Sequence, residues 1–386
     1  MILHVFFLAF FLWMLASGSL DPWFARWRRH WRRKHHRGDP AADPVQSAAD
    51  AFAAVDAPGA AIAIAIVTPG GVRQVFAGRI DGADSPAPDA ETPFEIGSIS
   101  KTFTAALLVA MERAGRVRLD TSPDALLPDA ARPGHRHAAT LADLASHTAG
   151  LPRLPWGLPM LAGLYLTPRQ PYRFIGPRVL QHWLRRTRHE QRYRYSNLGY
   201  GLLGAALATA VGSDYAQALQ QFVLAPLGLA NTRATADAAC AQPHSVLGRR
   251  MPAWDLRAIA PAGGIRSTLA DMTRWLQANI AVAAPLDACL HAPRAQAGTT
   301  GRRVALAWQV DGDGDGRVVW HNGRTGGSSS MIAFVPSRGT GVVVLSNSAA
   351  GVDALATGLL QRAVGGLMQA PPSKPLPDAS PVADAV

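Results

Sequence analysis

The chain has 386 residues, of which 48% are hydrophobic and 17% are charged, and its formal net charge is +11. This composition excludes a mostly disordered chain and suits one large core or two coupled domains. Seven of the 38 Lys and Arg residues lie between positions 26 and 37, so the rest of the chain is only mildly basic. We therefore expect no nucleic-acid partner.

The N-terminal region predicts targeting to a membrane. Residues 1–20 form an apolar segment whose length suits a signal peptide or an anchor. Small residues at 16–18 offer a cleavage site, but the basic linker at 21–43 follows the apolar core, and that charge order conflicts with export. Because the linker also carries Trp residues typical of membrane interfaces, we expect a membrane-associated or periplasmic/exported protein that contacts the membrane through residues 1–37. A solvated spacer after a targeting segment is the alternative.

The first predicted elements of the body follow this linker. Residues 45–55 have a helical pattern, and two apolar runs around Gly70 and Gly71 predict a β-hairpin. Ser98 begins a helix that Gly115 ends, because glycine is common just after a helix C-terminus.

A helical middle section and a strand-rich end are predicted for the remainder. Residues 116–290 show helical patterns and loops, including a helix that Thr268 begins, with Asp271 three residues on. Three strand-like runs, RVVWH, SSMIAFVP and TGVVVLSN, precede a predicted helix at 351–365.

Together these elements indicate an α/β (α+β) fold in which strands from both chain ends form one sheet. The predicted domain covers residues 44–368. Its α/β part lies at about 44–115 and 300–368, and an inserted all-α part lies at about 116–299. The Pro- and Ala-rich residues 369–386 predict a disordered tail.

Lysine usage singles out one residue of the body. The chain has three lysines, Lys34, Lys101 and Lys374, and only Lys101 lies within the predicted domain. It follows Ser98 by three residues, so both side chains share one face at a helix start. A buried lysine with a lowered pKa can take a proton from serine, and the amides of a helix N-terminus can stabilise an oxyanion. A lysine three residues after a serine also occurs often by chance, so this spacing alone does not establish a catalytic pair.

Two further motifs complete a pattern. YRYSNLGYGLLG places Tyr195 and Asn197 before a small-residue helix, and WHNGRTGG places His321, Asn322 and Gly323 at the end of a strand. In this order and at these intervals, the three motifs resemble those of the penicillin-recognising serine hydrolases. Class C β-lactamases, low-molecular-weight DD-peptidases and esterases of the same fold belong to that group. LASHTAGLP and PAGGIRSTLADM are also typical of it.

The resemblance covers about residues 45–365 and implies the β-lactamase/transpeptidase-like fold, an antiparallel sheet flanked by helices with an inserted all-α domain. It implies a serine hydrolase that acts on amide or ester acyl donors, such as β-lactams or peptidoglycan peptides, through an acyl-enzyme. One alternative is a carboxylesterase for small acyl esters. Another, from a different class, is a penicillin-binding sensor or scaffold that is acylated without turnover. No metal ion or other cofactor is expected.

The resemblance also implies roles for individual residues. Ser98 would be the acylated nucleophile and Lys101 its proton partner. Tyr195 would be the general base, its phenol pKa lowered by nearby cations. Asn197 would hold Lys101 and the substrate amide, and the backbone N–H groups of Ser98 and Arg324 would form the oxyanion hole.

One motif departs from the family pattern. True β-lactamases have Lys-Thr-Gly where this chain has His321, Asn322 and Gly323. A neutral histidine does not attract a substrate carboxylate as lysine does, so we expect weak activity on β-lactams and better activity on neutral esters. Protonation of His321 is expected to restore the preference for anionic substrates as pH falls toward 6. The side chain of Arg324 is an alternative source of positive charge.

Other patterns have weaker functional interpretations. DGDGDG at 311–316 matches the start of a calcium loop, but a hairpin turn is favoured because Asn322 stands where the loop needs glutamate. HRH at 135–137 is similar to the histidine pair of some zinc hydrolases. The residues that follow it include no Asp or His that could bind the metal, so a polar loop is favoured. The apolar residues 154–168 fit a lid, a membrane-touching loop or core packing. The two cysteines, at positions 240 and 289, exclude a disulfide framework and leave one bridge or two free thiols open.

Overall fold

The computed structural model describes the chain in segments, which are residues 43–57, 60–127, 139–155, 157–186, 192–282, 286, 288–296 and 303–366. The predicted N-terminal segment, the HRH loop and the predicted C-terminal tail lie outside the described residues. So does the side chain at position 289, whereas Cys240 has a free thiol. Within the described segments, no helix combines the length and hydropathy that crossing a bilayer requires.

The central element is an antiparallel sheet with the strand order β2-β1-β10-β9-β8-β7-β6-β5. Its strands are β1 (Ile62–Thr68), β2 (Gly71–Ala77), β5 (Ala295–Gln296), β6 (Arg303–Val304), β7 (Gln309–Asp311), β8 (Val318–Arg324), β9 (Ser329–Val335) and β10 (Thr340–Ser346). A separate pair consists of β3 (Phe94–Glu95) and β4 (Arg266–Ser267). The predicted hairpin and the three predicted C-terminal strands are confirmed. The DGDGDG segment connects antiparallel β7 and β8, so the hairpin interpretation is also confirmed.

The described helices are α1 (Pro44–Ala51), α2 (Ser100–Arg113), α3 (Pro123–Leu126), α4 (Leu141–Ala145), α5 (Leu158–Leu166), α6 (Pro177–Arg186), α7 (Asn197–Ala210), α8 (Tyr215–Leu219), α9 (Leu269–Ala281) and α10 (Asp353–Val364). The predicted N-cap of α9 is confirmed, since Thr268 Oγ1 accepts a hydrogen bond from the Asp271 N–H at 3.2 Å. Ser98 lies in a 3-10 turn that directly precedes α2. The predicted helix therefore begins slightly later than expected.

The two faces of the sheet bury separate hydrophobic clusters. Because side chains alternate along a strand, Ile62, Ile64 and Ile66 of β1 pack with α1 and α10 on one face. Ala63 and Ala65 pack with α2 and α9 on the other face. Nearly all of α2 is buried, so the 3-10 turn before it is held between the sheet and the helical part of the molecule.

The segment between α2 and β6 is mainly helical, and it contains α3 to α9. Two short strands, β4 and β5, also lie in it. They interrupt the expected all-α composition of residues 116–299. The domain boundaries themselves stay predictions.

Candidate active site

The serine–lysine pair is the first component of the site. Ser98 is half-buried, whereas Lys101 is fully buried on the first turn of α2. Lys101 Nζ lies 3.1 Å from Ser98 Oγ and donates a second hydrogen bond, of 2.6 Å, to the carbonyl oxygen of Ala262. Burial, and then the charge of Arg153, hold the pKa of the Lys101 amine well below its ordinary value of 10.5. The amine is therefore suited to accept a proton from Ser98.

The carbonyl group of Ala262 is fixed by polar contacts from α2. Thr104 Oγ1 donates a 2.7 Å hydrogen bond to the oxygen of Pro261. Ser100 Oγ accepts a 3.0 Å hydrogen bond from the N–H of Ile265. This segment belongs to the PAGGIRSTLADM motif, but the sequence assigned no role to its carbonyl groups.

Tyr195 is the second component. Its half-buried ring lies just before α7, with Lys101 Nζ 4.9 Å from the ring centroid and the guanidinium carbon of Arg153 at 5.3 Å. Burial raises the pKa of Tyr195 to about 12, although a hydrogen bond to Ser98 and the charge of Arg153 both act to lower it. The expectation of a lowered phenol pKa is therefore wrong, because removal from water outweighs the nearby cation.

Asn197 begins α7 beside this tyrosine. Its backbone N–H donates to the oxygen of Arg153 at 3.0 Å, while its side-chain Oδ1 is buried with no hydrogen-bond partner. The hydrogen bonds of Lys101 go to Ser98 and Ala262, so Asn197 does not hold the lysine as expected. Its Oδ1 remains available to a substrate.

His321 lies on the buried face of β8. Its Nδ1 is 2.7 Å from the oxygen of Asn322, and its Nε2 is buried without a hydrogen-bond partner. Burial and the positive charge of Lys101 lower the pKa of His321 to about 3. The expectation that His321 becomes protonated near pH 6 is therefore wrong.

Asn322 and Arg324 project from the opposite, exposed face of β8. Asn322 Nδ2 donates a 2.6 Å hydrogen bond to Asp353 Oδ1, and Arg324 Nη2 lies 3.5 Å from Asp353 Oδ2. Both side chains therefore contact Asp353 of α10, on the face of β8 opposite His321. In this arrangement the Arg324 side chain pairs with Asp353 instead of lying beside His321.

The backbone of Arg324 does lie next to the nucleophile turn. Gly97 has φ +50°, a conformation that favours glycine, and a Cβ atom there would come within 2.6 Å of the Arg324 nitrogen. Gly323 is buried and would collide with the carbonyl group of Ile96 if it carried a Cβ. Two glycines therefore allow β8 to approach the turn that carries Ser98.

His147 is a site residue that sequence reasoning missed. It is buried and has φ +62°, and its Nδ1 accepts a 3.0 Å hydrogen bond from the N–H of Ser196. Its ring lies 4.4 Å from the Tyr195 ring. Burial, with Lys101 and His321 nearby, keeps its pKa well below the ordinary value. The LASHTAGLP motif was the available signal, although no role for the histidine followed from it.

Sequence reasoning also missed Glu95, which stabilises the site by holding two of its segments together. Its carboxylate is buried and accepts hydrogen bonds from Thr325 Oγ1 at 2.7 Å and Ser328 Oγ at 3.1 Å. It also accepts a 2.6 Å bond from the N–H of Trp254. Burial raises its pKa, and these hydrogen bonds act against that rise. Glu95 thereby ties the β8–β9 turn to the strand that leads into Ser98.

The geometry agrees with comparisons to known proteins. A profile of the family described as Beta-lactamase matches residues 45–365. The chain belongs to the Beta-lactamase family. A beta-lactamase of Pseudomonas fluorescens is 28% identical to this family member over 330 residues, which cover 75% of this chain and 88% of that protein.

Two further proteins extend the comparison. The D-alanyl-D-alanine-carboxypeptidase/endopeptidase AmpH of Escherichia coli K12 is 29% identical over 224 residues, covering 56% of this chain and 57% of that protein. A beta-lactamase/D-alanine carboxypeptidase structure from Pseudomonas syringae has a TM-score of 0.69 and 22% identity, covering 84% of this chain and 98% of that one. The predicted β-lactamase/transpeptidase-like fold is confirmed. This Beta-lactamase family member is a serine hydrolase.

Proposed function

We propose that this serine hydrolase cleaves β-lactams or D-alanyl peptides of peptidoglycan through an acyl-enzyme on Ser98. The names of its relatives, beta-lactamase and D-alanyl-D-alanine-carboxypeptidase/endopeptidase, support this substrate class. The single observation that carries the mechanism is the buried amine of Lys101, 3.1 Å from Ser98 Oγ.

Acylation begins with the attack of Ser98 Oγ on the acyl carbon. The hydroxyl proton passes to the Lys101 amine, because the lowered pKa of that amine favours its neutral form. The backbone N–H groups of Ser98 and Arg324 stabilise the oxyanion, and their proximity is supported by the close approach at Gly97.

Collapse of the tetrahedral intermediate breaks the bond between the acyl carbon and the leaving nitrogen or oxygen. Tyr195 is protonated at neutral pH, since its pKa is about 12, and its hydroxyl interacts with Ser98. It therefore donates a proton to the leaving group and regains one from the Lys101 ammonium. Deacylation runs the same relay with water as the attacking group, which restores the Ser98 hydroxyl.

In this proposal, the amide and carbonyl groups of the substrate form hydrogen bonds with two polar atoms of the site that otherwise have no hydrogen-bond partner. Asn197 Oδ1 and His321 Nε2 are both buried without hydrogen bonds. A buried polar atom without a hydrogen bond destabilises the folded protein unless a ligand forms that bond. Asn197 Oδ1 accepts from the substrate N–H in this proposal, and His321 Nε2 borders the cleft together with the backbone of Asn322 and Gly323 on the same strand.

A carboxylesterase is the second candidate. The observation that favours it is the neutral His321, which supplies no charge for a substrate carboxylate. A small neutral ester does not need that charge, so its hydrolysis would proceed on the same Ser98, Lys101 and Tyr195.

The experiment is a substrate panel on the full-length protein in detergent, with nitrocefin, a D-Ala-D-Ala peptide and p-nitrophenyl acetate. We expect turnover of the first two and a covalent adduct at Ser98, both absent from Ser98→Ala. Hydrolysis of the ester alone would favour the carboxylesterase. A lasting penicillin adduct on Ser98 without product release would favour the sensor or scaffold.

We also propose that the protein is exported or membrane-associated through residues 1–37, which the apolar segment and the basic cluster support. Full-length protein should sediment with membranes and be released by detergent. An entirely soluble product trimmed near residue 18 would instead indicate a cleaved signal peptide.

A further inference from the structure

A substrate carboxylate requires a cation at the mouth of the site, and the expected positions do not supply one. His321 is neutral, and the side chain of Arg324 lies against Asp353. Lys101 is fully buried and bonded to Ser98 and Ala262. A different residue is needed to attract an anionic substrate.

Arg153 meets this requirement. We propose that its guanidinium group binds the carboxylate of the substrate, an inference that rests on the proposed function. Its side chain is exposed, and the guanidinium carbon lies 5.3 Å from the ring centroid of Tyr195. None of the ion pairs among the described residues uses Arg153, so no protein carboxylate competes for its charge in that part of the chain.

The backbone fixes Arg153 in relation to the substrate amide. Its carbonyl oxygen accepts the hydrogen bond from the N–H of Asn197, at 3.0 Å. A substrate held by Asn197 Oδ1 therefore meets the arginine on the adjacent chain segment. The charge of Arg153 also reaches the catalytic groups, since it lowers the pKa of both Lys101 and Tyr195.

The chemistry suits arginine. A guanidinium group stays charged throughout the working pH range and can bind both oxygens of a carboxylate at once. With the carboxylate bound to Arg153, this chain does not need the lysine that true β-lactamases have in their Lys-Thr-Gly motif.

The test compares Arg153→Gln with wild type on nitrocefin, which carries a carboxylate, and on p-nitrophenyl acetate, which does not. We expect kcat/KM for nitrocefin to fall about tenfold to a hundredfold, mainly through KM, because a charge-assisted hydrogen bond is lost. The ester should lose clearly less than nitrocefin, because it shares only the effect of the Arg153 charge on Lys101 and Tyr195. Arg153→Lys should restore part of the loss. The matched control is Arg118→Gln, an exposed arginine paired with Asp120, which should leave both activities unchanged.

Three results would overturn the assignment. Equal losses on both substrates would mean that Arg153 has a structural role, and unchanged nitrocefin kinetics would place the anchor elsewhere. If wild type hydrolyses the ester but is neither acylated by nitrocefin nor able to turn it over, the proposed substrate class fails as well. The ester activity thus separates the two failures.

A second inference concerns an exposed apolar surface near the site. Seven large hydrophobic side chains are exposed among the described residues, and five of them lie between positions 158 and 174. On α5, Leu158 is 81% exposed, Tyr165 62% and Leu166 73%. Leu158 and Leu161 are three residues apart, so they lie on one helix face, and both are exposed. Core packing is therefore wrong for the outer face of residues 154–168.

The turn after α5 belongs to the same surface. A Cβ at Gly163 would collide with the carbonyl group of Pro171, so α5 and this turn are closely packed. The turn adds exposed Phe174, Arg169 and Arg173. We define the outer face of α5 together with these three residues as the α5 surface.

The charge of the surrounding residues indicates what binds the α5 surface. Residues 144–189 contain seven arginines and no Asp or Glu. The neighbouring Asp255, whose N–H donates to Gln170 at 3.1 Å, is itself paired with Arg257 at 2.9 Å. An exposed apolar helix face bordered by Arg169 and Arg173 is typical of surfaces that lie on anionic lipid. We propose that the α5 surface contacts an anionic bilayer, in addition to any attachment through residues 1–37.

Such contact would bring the membrane close to the catalytic cleft. Tyr172, in the same turn, is buried and packs edge-on against Trp254 at 5.1 Å. It is also close enough to Tyr195 to affect the pKa of that phenol. The turn that carries Phe174, Arg169 and Arg173 therefore also carries a residue close to Tyr195.

The test uses the full chain with Cys240 and Cys289 replaced by serine and Leu166→Cys carrying an environment-sensitive fluorophore. We expect a blue shift on vesicles that contain phosphatidylglycerol and little shift on phosphatidylcholine alone. Arg173→Glu should weaken the vesicle affinity reported by this label by about fivefold or more, because each basic residue near an anionic surface contributes about 1 kcal/mol. The matched control carries the label at Val364, another exposed apolar position, which should not shift.

Two outcomes would overturn this second proposal. Vesicle binding without a blue shift at position 166 would mean that residues 1–37 act alone. A shift that depends on protein concentration and needs no lipid would identify a second copy of the chain as the occupant.

Discussion

At the scale of single residues, burial decides the protonation state of each catalytic group. Lys101 loses basicity because it is removed from water, and Tyr195 becomes less acidic for the same reason. The lowered pKa favours the neutral amine of Lys101, and the raised pKa keeps Tyr195 a phenol at neutral pH. In the proposed mechanism the lysine is therefore the first proton acceptor and the tyrosine is a donor.

This division predicts how lysine substitutions behave. Lys101→Arg should lose about 10²–10⁴-fold in acylation rate, nearly as much as Lys101→Ala, because arginine does not give up its proton in this setting. The measurement is the rate of labelling of Ser98 by a fluorescent penicillin, with thermal unfolding as the control for folding. A Lys101→Arg variant that kept more than a tenth of wild-type acylation would mean that the lysine acts only as a charge.

His321 gives a pH prediction with a definite sign. Since its pKa is about 3, it stays neutral from pH 8 to pH 6. The ratio of kcat/KM for nitrocefin to that for p-nitrophenyl acetate should therefore not rise as pH falls through this window. His321→Gln should show the same flat profile. A rise with a midpoint near 6.5, lost in His321→Gln, would contradict the lowered pKa.

At the scale of elements, Glu95 links two pieces of the site that are far apart in sequence. It belongs to β3, which leads to Ser98, and it accepts hydrogen bonds from the turn between β8 and β9. In the proposed mechanism, the oxyanion donors of Ser98 and Arg324 come together only if that turn is held against the segment that carries Ser98.

Removing the carboxylate tests this link. Glu95→Ala leaves the donors of Trp254, Thr325 and Ser328 without their acceptor, and each buried donor left unpaired costs about 1–3 kcal/mol. The free energy of unfolding, measured in urea, should fall by at least that amount. Glu91→Ala is the matched control, since Glu91 is exposed and its loss should change stability by less than about 0.5 kcal/mol. Equal effects of the two substitutions would contradict the linking role.

The long elements were predictable from the sequence, and the short ones were not. The hairpin at Gly70 and the cap at Thr268 have periodic or capping patterns that act locally. Strands of two residues, such as β3 and β4, have no periodicity to read. The positions of Arg153 and the Ala262 carbonyl depend on how distant segments meet. The pKa values of Tyr195 and His321 depend on burial, which residue type alone does not determine.

At the scale of the whole molecule, buried histidines make stability sensitive to acid. The pKa values of His291 and His321 are lowered to about 3, and that of His147 is well below normal. Because the unfolded chain binds these protons near pH 6.5, their contribution is fully present above that pH and is lost as pH falls toward 3. Burial raises the pKa of Glu95 and Asp271. Protonation of these two acids therefore favours the folded chain as pH falls, which opposes the effect of the histidines.

A difference measurement isolates one histidine. His291→Asn should be less sensitive to acid than wild type by about 1.4 kcal/mol per pH unit between pH 6 and pH 4, since one proton-binding difference is removed. Urea unfolding at several pH values measures this slope. Parallel stability curves for the two proteins would show that His291 is protonated in the folded state.

The strand order has a consequence for how the protein is made. β1 lies between β2 and β10, with Ile62 opposite Ser346, so one side of this early strand has no partner until β10 has been synthesised. The nascent chain carries an open strand edge until then, and pairings between strands so far apart in sequence form slowly. β8, which lies against the turn that carries Ser98, is also a late strand in the chain order. The surroundings of Ser98 therefore form only when the late strands have joined the sheet that β1 begins.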